Sequence, residues 1–468
     1  MLDFLNYGQM LGGVNFTHVV LIPKVKSPES MAQFRPISLC NVIYKIISKI
    51  LVNRMKKVLP RVISESQSAF VPGRMISDNV IIAFEAIHHL KNLRGGKNAQ
   101  LAAKLDMSKA YDRVEWDYLR AVMVKLGFNV RWVGLIMSCV TSVSYSIMIN
   151  GAPKGYIKPE RGLRQGDPLS PYLFLICAEG LSALMRKAER DRMIRGVSIC
   201  RAGPRISHLF FADDSIIFCR AKLSECNALQ NILTLYGKAS GQLVNGDKTA
   251  LFFSHNTPSY LRADISGFFG TTLTTKFEKY LGLPPIIGRA KKRAFNDIKD
   301  RIWKRLQGWK EKLLSQAGRE VLIKVVIQAM PSYAMGCFKF PAGLCQEISS
   351  LANRFWWGQR NGGRKIHWMN KKNLYRSKHD GGMGFRDLQL FNSALLARQG
   401  WRLLHNSSSL VFRVLKAKYF PNGSFLEANV PRTASFICRS ICDSKEVLNL
   451  GLRWRVGTGE HIRIWQDP

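Results

Sequence analysis

Acidic residues are scarce: 32 Asp and Glu stand against 70 Lys and Arg in 468 residues, a formal net charge of +38. An excess of that size repels itself unless a polyanion is the working partner, so nucleic acid is the expected ligand. Long apolar runs are also missing. The best candidate, Leu173 to Ala178, stops at Glu179, far short of the roughly 20 residues a membrane-spanning helix needs. The amino terminus, Met1-Leu2-Asp3-Phe4-Leu5-Asn6, has no basic stretch followed by an apolar core, so no secretory leader is expected. No internal repeat or low-complexity tract occurs. The ten cysteines are scattered, and several follow apolar residues, as Cys177 follows Leu175-Ile176. They read as small hydrophobes in a reducing compartment. Cys438 and Cys442, or Cys337 and Cys345, with a distant His461, do not supply four zinc ligands. The expectation is an intracellular protein of the nucleus or cytoplasm without membrane attachment. With 46% hydrophobic residues, the chain is globular and long enough for two or three domains.

The stretch Phe210-Phe211-Ala212-Asp213-Asp214-Ser215 puts two adjacent carboxylates between flanks rich in β-branched and aromatic residues. That pattern predicts a hairpin with two acids at its tip. Carboxylates held so close repel, and the usual remedy is a divalent cation with oxygen ligands, Mg²⁺ for a site that handles phosphates. Turn chemistry alone also accounts for Asp-Asp in a hairpin. A third acid adds to the pattern: Gln100 to Leu105 reads as a strand ending at Asp106, with Met107 to Trp116 turning into a helix after it. Three acids at the ends of neighbouring strands suit two metals and in-line nucleotidyl transfer. The plainer reading of Asp106 is a charge on a helix N-terminus.

Leu105-Asp106 followed by Tyr111, with Phe211-Ala212-Asp213-Asp214 downstream, resembles motifs A and C of reverse transcriptases, in particular the LINE-type (non-LTR) retrotransposon enzymes of plants. Between them Gly162-Leu163-Arg164-Gln165-Gly166-Asp167-Pro168-Leu169-Ser170-Pro171 is similar to motif B of the same family. Each motif is short, but three in order are specific. The resemblance implies that Asp106, Asp213 and Asp214 are catalytic and bind two Mg²⁺ ions, with Mn²⁺ as an alternative. It implies that Lys24 and Arg35, in family-like fingers motifs, clamp the phosphates of the incoming nucleotide. Tyr111 would lie under the sugar and exclude a 2′-hydroxyl, and Gln165 would touch base or sugar. Ser240 to Thr249 resembles motif D, where Lys248 would approach the pyrophosphate. Tyr280-Leu281-Gly282-Leu283-Pro284 looks like the hairpin that grips the primer strand.

His18 to Lys24 reads as a strand, and Asn41 to Leu59 as a helix with Val42, Ile46, Ile50 and Met55 inward. Asp78 to Leu90 and Trp116 to Leu126 read as helices, Val140 to Asn150 as a strand before an Asn150-Gly151 turn, and Ser170 to Met185 as a helix opening on Ser-Pro. Past Gly288 the charge turns strongly basic, with Ile298, Ile302, Trp303 and Leu306 at helical spacing. Lys291, Lys292, Arg293 and Lys304 on this helix are expected to lie along duplex phosphates. Tryptophans gather beyond residue 300 and are expected in the core.

The expected architecture is α+β, a right-hand polymerase. It has a fingers segment (1–100), a palm with an antiparallel sheet and the catalytic motifs (101–285, the reverse transcriptase domain as a whole covering about 5–285), a basic helical thumb (286–345) and a helical C-terminal extension (346–468). The extension resembles the linker that follows the polymerase in plant elements, before a zinc-binding and ribonuclease H part that is not in this sequence. The expected partners are an RNA template, a DNA primer and dNTPs. The alternatives are a catalytically silent nucleic-acid-binding remnant and an intron-maturase-like RNA-binding protein.

Overall fold

The computed structural model describes residues 2–96, 98–270, 279–310, 314–358, 365–453 and 458. Gly362-Gly363, Lys312, Trp454, His461 and Trp465, named above, lie outside them. The chain forms two compact units: residues 1–79, 89–198 and 205–276, and residues 80–88, 199–204 and 277–468.

The strands all belong to the first unit: β1 (Phe16–Pro23), β2 (Phe34–Cys40), β3 (Gln100–Leu105), β4 (Ser144–Ile149), β5 (Ala152–Ile157), β6 (Val197–Ser198), β7 (Arg205–Ile206), β8 (His208–Phe211), β9 (Asp214–Arg220) and β10 (Ala250–Phe253). One four-stranded sheet has the order β2-β1-β4-β5, a second the order β10-β3-β9-β8, and β6 pairs with β7. The second sheet is antiparallel throughout. Its central strands are nearly continuous apolar runs, because both faces are covered. Leu101, Ala102, Ala103 and Leu105 are buried on β3, as are Ser215 to Cys219 on β9. The helices Trp116–Lys125, Ser170–Arg190 and Leu223–Ser240 supply the apolar cover.

Three expectations need correction. The helix Val42–Met55 buries Tyr44, Ile47, Leu51, Val52 and Met55, whereas Val42 is 70% and Ile46 44% exposed. The helix is turned because the Tyr44 hydroxyl donates to Asp167 Oδ2 at 2.8 Å, which pins that face inward. Residues 107–115 are turns, and the helix begins only at Trp116; backbone N–H groups of this stretch are spent on other loops, as described below. Val140 ends a helix, Val130–Thr141, so the strand begins at Ser144.

Asp167 is part of a buried knot. Arg164 Nη2 lies 3.1 Å from its carboxylate, and the two side chains are each 4% exposed. The guanidinium also donates to Asn15 Oδ1 at 2.5 Å and to the Cys139 carbonyl at 3.3 Å, and it stacks over the Tyr44 ring at 3.9 Å. The second Asp167 oxygen accepts from Leu169 N at 2.9 Å. This knot fixes the 162–169 loop to the helix Val42–Met55 and to the β1–β4 end of the first sheet.

In the second unit the helix Lys291–Lys310 buries Phe295, Ile302 and Leu306. Trp303, expected on that apolar face, is 43% exposed, and Trp368 is 80% exposed, so the tryptophans do not all enter the core. Phe295 stacks on Phe340 at 4.5 Å, and Phe338 meets Phe84 at 5.3 Å and Phe436 at 5.9 Å. Beside this aromatic core the fully buried Glu85 accepts from the Tyr419 hydroxyl at 2.8 Å and from Ser435, with Lys418 Nζ at 3.1 Å. Segments beyond residue 410 are thereby held to the same unit. No helix among the described residues is long and apolar enough to cross a membrane, and the ten cysteines are all unpaired thiols.

Arg164→Leu leaves Asp167 buried beside no cation. The first unit is expected to lose about 3–5 kcal/mol in chemical denaturation. A loss under 1 kcal/mol would show that the knot adds nothing to that unit's stability.

Candidate active site

The two acid-bearing segments meet by register. Leu105 pairs with Ser215 across β3 and β9, so Asp106, the next residue, falls level with Asp214. Phe211 pairs with Asp214 to close the β8–β9 hairpin, leaving Ala212-Asp213 as a two-residue loop. Ala212 has φ +54°, a left-handed conformation that costs an alanine energy. It is held there from outside the hairpin: Gln67 Oε1 accepts from Ala212 N at 3.1 Å and from Ala69 N at 3.0 Å. Ser66 and Ser68 pair with the Phe210 backbone, and Asn79 Nδ2 donates to its carbonyl at 2.7 Å. The stretch Gln67 to Arg74, legible in the sequence only as a turn, is therefore the brace of the acidic tip.

The tip is electrostatically crowded. Burial pushes the Asp214 carboxyl up from the ordinary carboxylate range, and the charges of Asp213 and Asp106 push it further, against a smaller opposing effect of Lys104. Lys248, in the turn Gly246–Lys248, lies 3.5 Å from Asp106 Oδ2. Tyr111 stacks on Phe174 at 5.0 Å with ring planes 10° apart. Burial and then the nearby Asp213 push its hydroxyl up to about 12, so the ring is a neutral wall next to the acids.

The loop 106–116 that joins these groups is strapped on two sides. On one, Asn245 N donates to the Asp106 carbonyl at 2.8 Å, Ser108 N to the Leu243 carbonyl at 2.8 Å, and Gln242 Nε2 to the Ala110 carbonyl at 2.8 Å. On the other, Leu163 N donates to the Tyr111 carbonyl at 2.8 Å, Gly162 N to the Val114 carbonyl at 2.8 Å, and Trp116 Nε1 to the Gly162 carbonyl at 2.9 Å. Gly162 has φ +92°, and a Cβ there would sit 2.8 Å from the Asp112 carbonyl oxygen. Gly166 has φ +107°, with a Cβ position 2.9 Å from the Ser38 carbonyl oxygen. Both glycines are required by close backbone approach as well as by φ. Ser38 N donates to the Gln165 carbonyl at 2.7 Å, tying this loop to β2.

Arg35 lies exposed on β2 opposite Ile22 of β1, and Lys24 follows the end of β1 with its Nζ 2.9 Å from the Ala32 carbonyl. Asp112, absent from the expectations, adjoins this group: the Gln165 side chain hydrogen-bonds its carboxylate, and Lys109 and Lys24 face it. Burial nevertheless raises its carboxyl above the usual range. The structure thus gathers Asp106, Asp213, Asp214, Tyr111 and Lys248 in one group, and Gln165, Asp112 and Lys24 in another that shares the Tyr111 loop.

The donor chemistry fits a divalent cation. All three acids offer hard oxygen ligands, and their mutual charge is only partly offset. Among the described residues no three His, Cys, Asp or Glu side chains converge on one ion. Mg²⁺ is ordinarily held by one or two carboxylates together with water and substrate phosphates, so this set suits it.

The basic helix belongs to the second unit. Lys292 pairs with Glu347, which Lys299 also reaches at 3.1 Å, and Lys291 lies 4.6 Å over the Phe436 ring. Arg293 and Lys304 are exposed. In the same unit Tyr280 and Leu283 exchange backbone hydrogen bonds of 2.9 and 3.0 Å around Leu281-Gly282, a tight hairpin whose Leu281 carbonyl accepts from the Tyr333 hydroxyl at 3.0 Å.

A family model described as reverse transcriptase (RNA-dependent DNA polymerase) matches residues 22–284. An uncharacterized mitochondrial protein of Arabidopsis thaliana is 42% identical over 140 residues, 30% of this chain and 91% of that protein. The transposon TX1 uncharacterized 149 kDa protein of Xenopus laevis is 27% identical over 374 residues, covering 78% of this chain and 27% of its own length. The Pol polyprotein from the retrotransposable element R2DM of Drosophila melanogaster is 27% identical over 224 residues, 46% of this chain and 19% of its own length. The chain therefore spans about a quarter or less of the two transposon proteins.

Removing the Asp214 charge tests the crowding. A carboxyl raised in the folded state favours folding below the ordinary carboxylate range, and that contribution is lost as pH rises through its raised value. Asp214→Asn is therefore expected to raise the melting temperature of the EDTA-treated chain at pH 7, with the gain vanishing near pH 4. A lower melting temperature at pH 7 would mean that the charged carboxylate is net stabilised.

Proposed function

The chain belongs to the reverse transcriptase (RNA-dependent DNA polymerase) family, and from that premise we propose that it extends a DNA primer along an RNA template, as a non-LTR retrotransposon polymerase. The observation that carries this reading is the register of β3 against β9, which supports a shared role for Asp106, Asp213 and Asp214. When bound, two divalent cations, Mg²⁺ by preference, supply activation of the primer hydroxyl and charge balance on the triphosphate. Asp106 and Asp213 would hold them, and Asp214 would support the tip.

Lys24 and Arg35 bind the triphosphate, one as a point charge and one as a planar fork. Lys248, resting on Asp106, transfers its charge to the departing pyrophosphate. The Tyr111 ring, fixed by its stack on Phe174, lies under the sugar and leaves no room for a 2′-hydroxyl. Gln165 faces the base or sugar. Arg293 and Lys304, with Lys291 and Lys292 once released from their protein partners, follow the phosphates of the duplex as a thumb. In this reading residues 1–100 are fingers, 101–285 palm, 286–345 thumb and 346–468 a connecting extension, and the protein works in the nucleus or cytoplasm.

One observation favours a second reading, a catalytically silent nucleic-acid-binding remnant: Lys248 pairs with Asp106 and no three potential ligands converge among the described residues. Primer extension with Mg²⁺ on an RNA template separates the two. Asp213→Asn or Asp106→Asn is expected to cut incorporation roughly a thousandfold or more, about 4 kcal/mol of transition-state stabilisation, while duplex affinity stays. Template binding without extension by the wild-type chain would select the remnant.

Sugar choice is a separate test. Tyr111→Ala is expected to raise the efficiency of ribonucleotide use relative to deoxynucleotide use by an order of magnitude or more. Parallel changes in both efficiencies would make the ring a packing element only.

A further inference from the structure

Asp112 follows the sugar-site tyrosine, and neither the triphosphate nor the cation assignments use it. Its surroundings are built. The Asp112 backbone is clamped against Gly162, whose Cβ position would lie 2.8 Å from the Asp112 carbonyl oxygen. On either side the Tyr111 and Val114 carbonyls accept from Leu163 and Gly162. Its amide closes a turn onto the Lys109 carbonyl at 3.0 Å, with Lys109 itself at φ +50°. The carboxylate is hydrogen-bonded by the Gln165 carboxamide and faced by Lys109 and Lys24. The main chain of Gln165 is fixed independently, by the 2.7 Å bond from Ser38 N. A residue held by its backbone to β2 and by its side chain to the 106–116 loop has one orientation left.

We propose that Asp112 is a positioning residue for nucleotide selection: by holding the Gln165 carboxamide it fixes the base-and-sugar side of the site between the Tyr111 loop and β2. The inference rests on the polymerase reading above and names a residue that acts through Gln165 and does not touch the reacting atoms. The carboxylate also faces Lys24, so it keeps that ammonium beside the site before a triphosphate takes it over.

Single-nucleotide incorporation tests it, with Asp112→Ala, Asp112→Asn, Gln165→Ala and the Asp112→Ala/Gln165→Ala double variant. Asp112→Ala and Gln165→Ala are each expected to raise the KM for the deoxynucleotide about tenfold, the loss of one hydrogen bond to a charged group, with kcat and template–primer affinity little changed. Asp112→Asn, which still accepts from Gln165, should keep a KM near wild type. The double variant should be no worse than either single, since both remove the same interaction. Asp112→Ser, too short to reach Gln165, replaces the alanine variant if that one loses its cooperative melt.

An unchanged KM in Asp112→Ala, multiplied losses in the double variant, or a fall in kcat and template affinity at constant KM would each overturn the proposal. A wild-type chain that does not extend primers sinks the polymerase reading instead. Competition binding of dTTP to the chain–template–primer complex then decides the role of Asp112, the same variants weakening binding by the same factors if it stands and not at all if it falls.

Discussion

Like charge brought to one end of a sheet is the constraint on which the first unit depends. Asp106, Asp213 and Asp214 repel, and the fold holds them together through antiparallel register and a braced tip. The cost shows in the raised carboxyl of Asp214 and in the left-handed Ala212. Neither would persist without Gln67, Asn79 and the backbone of Ser66 and Ser68 on the outer side of β8. The strain is local and its support is remote in sequence, as expected where a geometry is set for chemistry.

The loops around the acids form one bonded layer. The 106–116 loop lies between residues 242–245 and 162–163, with hydrogen bonds to each. The buried Arg164–Asp167 pair anchors the 162–169 loop from behind. A buried ion pair is a weak source of net stability but a strong source of a single geometry, since either partner alone is costly. Two glycines at positive φ permit the backbone contacts, and substitution there would push carbonyl oxygens apart.

The second unit follows a different rule. Its stability rests on an aromatic cluster around Phe295, Phe338, Phe340 and Phe436, beside one satisfied buried acid, Glu85. Its basic surface is already partly engaged: Glu347 holds Lys292 and Lys299. Any phosphate that binds those lysines competes with that carboxylate, so the free charge of the helix is smaller than its composition suggests.

Sequence by itself determined the elements whose signals are local. The hairpin bearing Asp213 and Asp214, the strand ending before Asp106, the Asn150-Gly151 turn and the Ser170–Arg190 helix follow from alternation, turn residues and a helix-starting proline. Family membership was legible in three short motifs for the same reason, since chemistry fixes residue types at fixed spacing. Tertiary structure decided which apolar stripe of Val42–Met55 faced inward, because Tyr44 had to reach Asp167, 123 residues away in the chain. It also kept residues 107–115 out of a helix, since their backbone groups bond to loops more than forty residues away. The roles of Gln67 and Asp112 were invisible for that reason: a brace or a positioning carboxylate has no periodicity, only a partner that the fold brings to it.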